Sequence, residues 1–87
     1  MKKYWFEFDF NEISPSFGIR IGCGLTAYDY SDALLLLSNK VFKGKPLPNI
    51  IKTIENIDVS TLDPGHVLPN MLSPDKRGVW FPLGYDV

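Results

Sequence analysis

Residues 3–10 alternate between two sets of side chains with a period of two. The even positions among them are all aromatic: Tyr4, Phe6, Phe8 and Phe10. Because successive side chains of a β-strand point to opposite faces, this pattern predicts a strand with one buried aromatic face. The opposite face then carries Trp5, Glu7 and Asp9. A second alternating run spans residues 17–26, after a turn-rich break at residues 11–16.

The two runs can pair as an antiparallel hairpin. The register that places Phe10 opposite Phe17 aligns the apolar positions of both strands and sets Tyr4 opposite Cys23. On the other face it gives two favourable cross-strand pairs, one of opposite charges and one of an aromatic ring over a glycine. These pairs are Glu7 with Arg20 and Trp5 with Gly22. We therefore expect a hairpin at the start of the domain.

A helix is predicted from about Tyr30 to Phe42. Asp29 is a good N-cap residue, and Gly44 is typical of a helix C-terminus. One face of this helix is apolar and can cover the sheet. Its residues are Tyr30, Ala33, Leu34, Leu37 and Val41. Leu36 falls on the opposite, polar side, so we expect it to face water.

The rest of the chain predicts two further strands separated by a long irregular segment. Residues 45–49 contain two prolines and form a linker. Residues 50–59 combine β-branched content with apolar positions at helical spacing, and we interpret them as a strand. Residues 60–77 lack sustained periodicity, and residues 77–82 read as a short closing strand. The sequence thus predicts a single α+β domain over residues 1–87: about four antiparallel strands with one helix packed on one face, in the order β-β-α-β-loop-β.

Charge and composition exclude several classes of function. Nine Lys and Arg residues nearly balance ten Asp and Glu residues, so the chain lacks the basic excess that binds nucleic acid. No apolar run approaches the roughly 18 residues of a membrane-spanning helix. Carboxylates at Glu7 and Asp9 interrupt the apolar stretch that a signal peptide needs after its basic start. We expect a cytoplasmic protein that does not bind a membrane. Nucleic-acid binding is a third, disfavoured hypothesis, because Trp5 and Trp80 could offer stacking faces but the favourable phosphate interactions are missing.

Catalytic chemistry has little support in the residue pattern. Cys23 lies on the predicted core face, where a thiol is an inert packing residue rather than a nucleophile. His66 is the single histidine, and with Asp58 and Asp63 it could form a metal or acid–base site in the long loop. The alternative is that Asp63 serves the Pro-Gly turn that follows it. One histidine cannot build the common multi-histidine zinc sites, so we predict no metal and no cofactor.

The preferred hypothesis about function rests on large apolar side chains that we predict to be exposed. We expect candidate binding residues at the surface, namely Trp5, Arg20, Leu36 and Trp80. Exposed large apolar side chains predict a small non-enzymatic module that binds a protein partner or forms a homo-oligomer. The competing interpretation is that the long loop, with Leu68, Met71 and Leu72, folds over one of these faces. The alternative function is a small enzyme or metal-dependent activity that uses His66 with Asp58 or Asp63.

Overall fold

The computed structural model describes residues 1–9 and 20–85. Within these residues the regular elements are β1 (Lys2–Asp9), β2 (Cys23–Ala27), α1 (Tyr30–Leu36), β3 (Asn49–Glu55) and β4 (Gly78–Phe81). A π-helical segment, Leu37–Val41, continues α1, and two 3-10 segments, Val59–Thr61 and Leu68–Asn70, lie in the connection to β4. The predicted α+β architecture and its order of elements are confirmed.

The four strands form one sheet in the order β3-β1-β2-β4, and every neighbouring pair is antiparallel. Since β1 is antiparallel to both β2 and β3, these two strands run parallel to each other. The chain between them crosses one face of the sheet as α1 and its π-helical continuation. This helical layer covers one face, and the opposite face is left to the long connection before β4.

The predicted hairpin register is wrong by two residues. Phe6, rather than Tyr4, lies opposite Cys23, and Trp5 lies opposite Gly24. A shift of two residues leaves every side chain on its predicted face, so the apolar pattern alone could not distinguish the two registers. The predicted pairings that involve residues 10–19 lie outside the described residues.

The predicted pair of Glu7 with Arg20 is also wrong. Because β2 begins at Cys23, Arg20 lies outside that strand. The cross-strand partner of Glu7 is Lys52 on β3. At Gly22 an added Cβ would lie 2.4 Å from the Trp5 ring, so the Trp5 indole packs directly on this glycine although the two are not register partners.

Leu36 faces the core and not water. Its side chain is 5% exposed and belongs to the cluster between the helix and the sheet. The buried side of the helix is centred on Ala33, Leu36 and Leu37, so the helix is rotated relative to the predicted stripe. Tyr30, which we expected in the core, is 43% exposed. The rotation places Tyr30 at the rim, with its ring centroid 6.3 Å from that of Tyr4.

The face away from the helix is covered by the long connection. Trp5 does point away from the helix as predicted, but it is 3% exposed and Trp80 is 1% exposed. We call the buried side chains on this face the loop-side cluster: Trp5, Ile57, Leu62, Val67, Trp80 and Phe81, with Leu68 and Met71 packed against them. The structure therefore has three layers, and the interpretation in which the loop folds over one face is correct.

The remaining boundaries follow from local backbone geometry. β3 is a strand as predicted but ends at Glu55, because Asn56 adopts φ +59° and turns the chain. The helical region ends after Val41. The Gly44 N–H donates to the Ser38 carbonyl at 3.0 Å, and Gly44 adopts φ +85°. Lys43, directly after the C-cap, also adopts a left-handed φ of +51°, and glycine adopts the second of these two conformations without strain.

Candidate functional site

Three of the four predicted surface residues are buried. Trp5 and Trp80 form the centre of the loop-side cluster, with their ring centroids 6.3 Å apart, and Leu36 packs under the helix. Arg20 is exposed. The large apolar side chains predicted to form a binding surface therefore stabilise the fold instead.

A different group of aromatic side chains is exposed at one end of the sheet. Tyr28 is 66% exposed and Tyr30 is 43% exposed, where β2 leads into α1. Arg77 joins Tyr28 because it directly precedes Gly78, which lies opposite Thr26 in the sheet. We call Tyr28 and Arg77 the tyrosine face. The Tyr30 ring lies instead against those of Tyr4 and Phe6.

Asp32 holds the tyrosine face together. Its carboxylate accepts hydrogen bonds from Arg77 Nε at 2.8 Å and from Arg77 Nη2, and it also accepts from the Tyr28 backbone N–H at 3.0 Å. The Arg77 Cζ lies 5.5 Å from the centroid of the Tyr28 ring, a cation–π distance. The hydrogen bond from Arg77, followed by that from Tyr28, lowers the pKa of Asp32 to about 2. The carboxylate is therefore ionised near neutral pH.

Only half of this arrangement is predictable from the sequence. Asp29 is the predicted N-cap, and its carboxylate accepts from the Asp32 N–H at 2.8 Å. Asp32 reads in the sequence as a second acidic residue at the helix N-terminus. Its partner Arg77 lies 45 residues away, and no local spacing indicates that contact.

The loop site brings together two of its three predicted residues. His66 Nδ1 lies 3.0 Å from Asp63 Oδ2. Asp63 also accepts from the Gly65 N–H at 2.8 Å, and this bond, followed by that with His66, lowers the pKa of the Asp63 carboxyl. Asp58 instead accepts from the backbone and hydroxyl of Ser60, at 3.1 and 2.6 Å.

Asp58 and Asp63 thus accept hydrogen bonds from backbone N–H groups two residues later and stabilise turns of the loop. This agrees with the alternative interpretation of Asp63. Within residues 1–9 and 20–85, no group of three or more His, Cys, Asp and Glu side chains is placed to hold a metal ion. What the loop does provide is one exposed imidazole whose ring is oriented by a neighbouring carboxylate.

Cys23 is a core residue. It is fully buried in the helix-side cluster, and this burial raises the pKa of its thiol far above the usual range. A thiol that stays protonated in apolar surroundings is not a nucleophile.

No protein-family model, curated protein or solved structure matches this chain. In the described part of the chain, no helix is long and apolar enough to cross a membrane.

Proposed function

We propose that this chain is a small, cytoplasmic, non-enzymatic module that binds a protein partner or a second copy of itself through the tyrosine face. The observation that carries the proposal is that Tyr28 is 66% exposed yet fixed on both sides, its backbone by Asp32 and its ring by Arg77. Tyrosine and arginine are enriched at protein interfaces and among the residues that dominate binding energy.

Pre-organisation supports this choice of surface. An exposed arginine normally loses side-chain entropy when a partner fixes it. Arg77 is already held by two hydrogen bonds to Asp32, and the Tyr28 ring lies against its guanidinium. Binding at this face therefore costs little side-chain entropy, because Arg77 and Tyr28 are already ordered in the free protein.

The open edge of the sheet is a poorer candidate. β3 is an edge strand of the described sheet, but Ile51 is an extra residue between the pairs Glu7–Lys52 and Phe8–Ile50. Such a bulge distorts the edge, and a lysine beside it disfavours the addition of another strand. β4 is the other edge, and the loop partly covers it, since the Leu72 N–H donates to the Trp80 carbonyl at 2.9 Å.

The test compares Tyr28→Ala with a matched control. Leu83→Ala removes another large exposed side chain, 51% exposed, from outside the tyrosine face. Molar mass by light scattering over a range of concentrations would report self-association, and capture by a tagged chain from the native lysate would report partners. We expect the wild type and Leu83→Ala to retain the same association and Tyr28→Ala to lose it.

Two results would contradict this proposal. In one, the wild type is monomeric at every concentration and captures no protein. In the other, Tyr28→Ala associates as well as the wild type does.

A second candidate, an acid–base activity in the loop, is favoured by the contact between His66 and Asp63. A carboxylate bonded to one imidazole nitrogen orients the other nitrogen for proton transfer. Hydrolysis of an activated ester such as p-nitrophenyl acetate is a simple probe. A rate that exceeds buffer and falls in both His66→Ala and Asp63→Asn would favour this candidate. A rate unchanged by His66→Ala, with no shift of the melting temperature on adding zinc or manganese, would remove it.

A further inference from the structure

A cleft with a volume of about 320 Å³ lies between the sheet and the segment that follows β3. Part of its apolar lining comes from β3 and the segment after it: Ile54, Ile57, Leu62 and Val67. Trp5 on β1 and Ile21 before β2 complete this lining. Its charged side chains are Glu7, Lys52 and Asp63. A small cleft that combines apolar walls with a few polar groups is the usual form of a site for a small molecule.

Glu7 and Lys52 are directly opposite each other in the sheet. Opposite charges in such a pair often form an ion pair across the strands. Here the Glu7 carboxylate turns along its own strand instead, and Oε2 accepts from Trp5 Nε1 at 3.0 Å. Within residues 1–9 and 20–85, no ion pair joins Glu7 to Lys52. The cleft therefore holds a carboxylate and an ammonium group that form no salt bridge with each other.

Both carboxylate oxygens of Asp63 already accept hydrogen bonds, Oδ1 from the Gly65 N–H and Oδ2 from His66 Nδ1. Asp63 contributes negative charge to the wall of the cleft rather than a free acceptor, and this charge favours the cationic end of a ligand.

We infer that the cleft binds a zwitterion with an apolar side chain, such as a free apolar α-amino acid. The ligand ammonium donates to Glu7, and its carboxylate accepts from Lys52. Its side chain packs against Ile54 and the loop. A ligand with only one charge would leave either Glu7 or Lys52 unpaired beside it, so both ligand charges contribute to affinity. This site is separate from the tyrosine face.

The experiment titrates the full chain with L-leucine, N-acetyl-L-leucine and L-leucinamide, followed by amide chemical shifts in NMR spectra. N-acetyl-L-leucine lacks the ammonium group and L-leucinamide lacks the carboxylate. We expect saturable shifts with leucine at residues that line the cleft, and binding at least about tenfold weaker for each analogue, because each loses a charge-assisted hydrogen bond.

Three variants complete the test. Glu7→Gln retains an oxygen that can accept from the Trp5 indole, and Lys52→Met retains most of the aliphatic length of the lysine. We expect each to weaken leucine binding about tenfold, for the same reason as the analogues. Lys45→Met, an exposed lysine outside the cleft, should bind as the wild type does.

The inference fails if leucine gives no saturable shifts up to about 20 mM, a concentration that would reveal even the weak binding of so small a ligand. It also fails if L-leucinamide binds as tightly as leucine, or if Lys52→Met has no effect, because either result means that Lys52 does not recognise a carboxylate.

Discussion

Trp80 Nε1 donates a hydrogen bond of 3.1 Å to Thr26 Oγ1 in the interior of the protein. Thr26 is 3% exposed, and its hydroxyl donates in turn to the Pro74 carbonyl at 2.6 Å. One hydroxyl thus satisfies the indole N–H of the loop-side cluster and ties the loop to β2. A buried polar group that lacks a partner is destabilising, so this relay allows a tryptophan to be fully buried here.

Replacement of Thr26 by valine should lower the free energy of unfolding by about 1–3 kcal/mol, because it leaves the buried Trp80 N–H without a partner and removes the hydrogen bond to the partly buried Pro74 carbonyl. Thr26→Ser is the matched control, since it keeps the hydroxyl and loses only a methyl group. Urea denaturation of the two variants measures the difference. Equal stabilities would show that the relay contributes nothing.

The close approach of Gly24 to Trp80 gives a second prediction. A Cβ at Gly24 would lie 2.2 Å from Trp80 Cζ3, and the ring cannot yield because it is packed between the sheet and the loop. We expect Gly24→Ala to destabilise the protein by about 1–3 kcal/mol. Gly65→Ala should have little effect, since the nearest atom to an added Cβ there is 3.4 Å away. Thermal or urea unfolding of both variants would test this, and similar stabilities would contradict the packing described.

Tyr4 offers a substitution that should not destabilise the protein. Its side chain is 1% exposed, and within the described residues Tyr4 Oη has no hydrogen-bond partner. Burial raises the pKa of this hydroxyl. Tyr4→Phe removes the unpaired group and keeps the ring contacts, so the free energy of unfolding should stay the same or rise by up to about 1 kcal/mol. A loss of more than about 1 kcal/mol in a urea unfolding curve would mean that the hydroxyl has a partner in solution.

Acid should weaken the bond between Asp32 and Arg77. The pKa of Asp32 is about 2 in the folded protein, below the ordinary value of 3.8. A carboxyl whose pKa is lowered by folding stabilises the protein above its unfolded pKa. That contribution is lost as the pH falls from about 4 to about 2. Asp58 and Asp63, whose pKa values are also lowered, act in the same direction.

A comparison of unfolding curves isolates the part due to Asp32. Asp32→Asn should be less stable than the wild type at neutral pH, and the stabilities should converge as the pH approaches 2. A difference that stays constant from pH 7 to pH 2 would show that the ionised carboxylate is not the source of the stabilisation.

The sequence predicted well what depends on local alternation, and poorly what depends on contacts between distant segments. The faces of β1 and β2 follow from the two-residue period. The register of the hairpin does not follow from this period, because a shift of two residues leaves every side chain on the same face. Trp5 was assigned to the correct face, but its burial depends on a segment about 60 residues later that has no periodicity of its own. Its buried side chains, Ile57, Leu62 and Val67, recur at neither strand nor helix spacing.

The candidate site was harder to predict for the same reason. Large apolar side chains are both the best core residues and the best interface residues, so Trp5, Leu36 and Trp80 could not be divided between these roles from the sequence. The helix rotation that buries Leu36 also exposes Tyr30. The contact between Asp32 and Arg77, which organises the tyrosine face, exists only after the sheet has formed.

The most direct test of the proposed function is hydroxyl-radical footprinting of the chain in its native lysate and of the purified chain at high dilution. Tyr28 is reactive and exposed in the isolated protein, and Leu83 is an exposed internal control. We expect the ratio of Tyr28 oxidation to Leu83 oxidation to fall in the lysate. The same ratio in both samples would mean that the tyrosine face stays open to solvent, and would contradict the proposal.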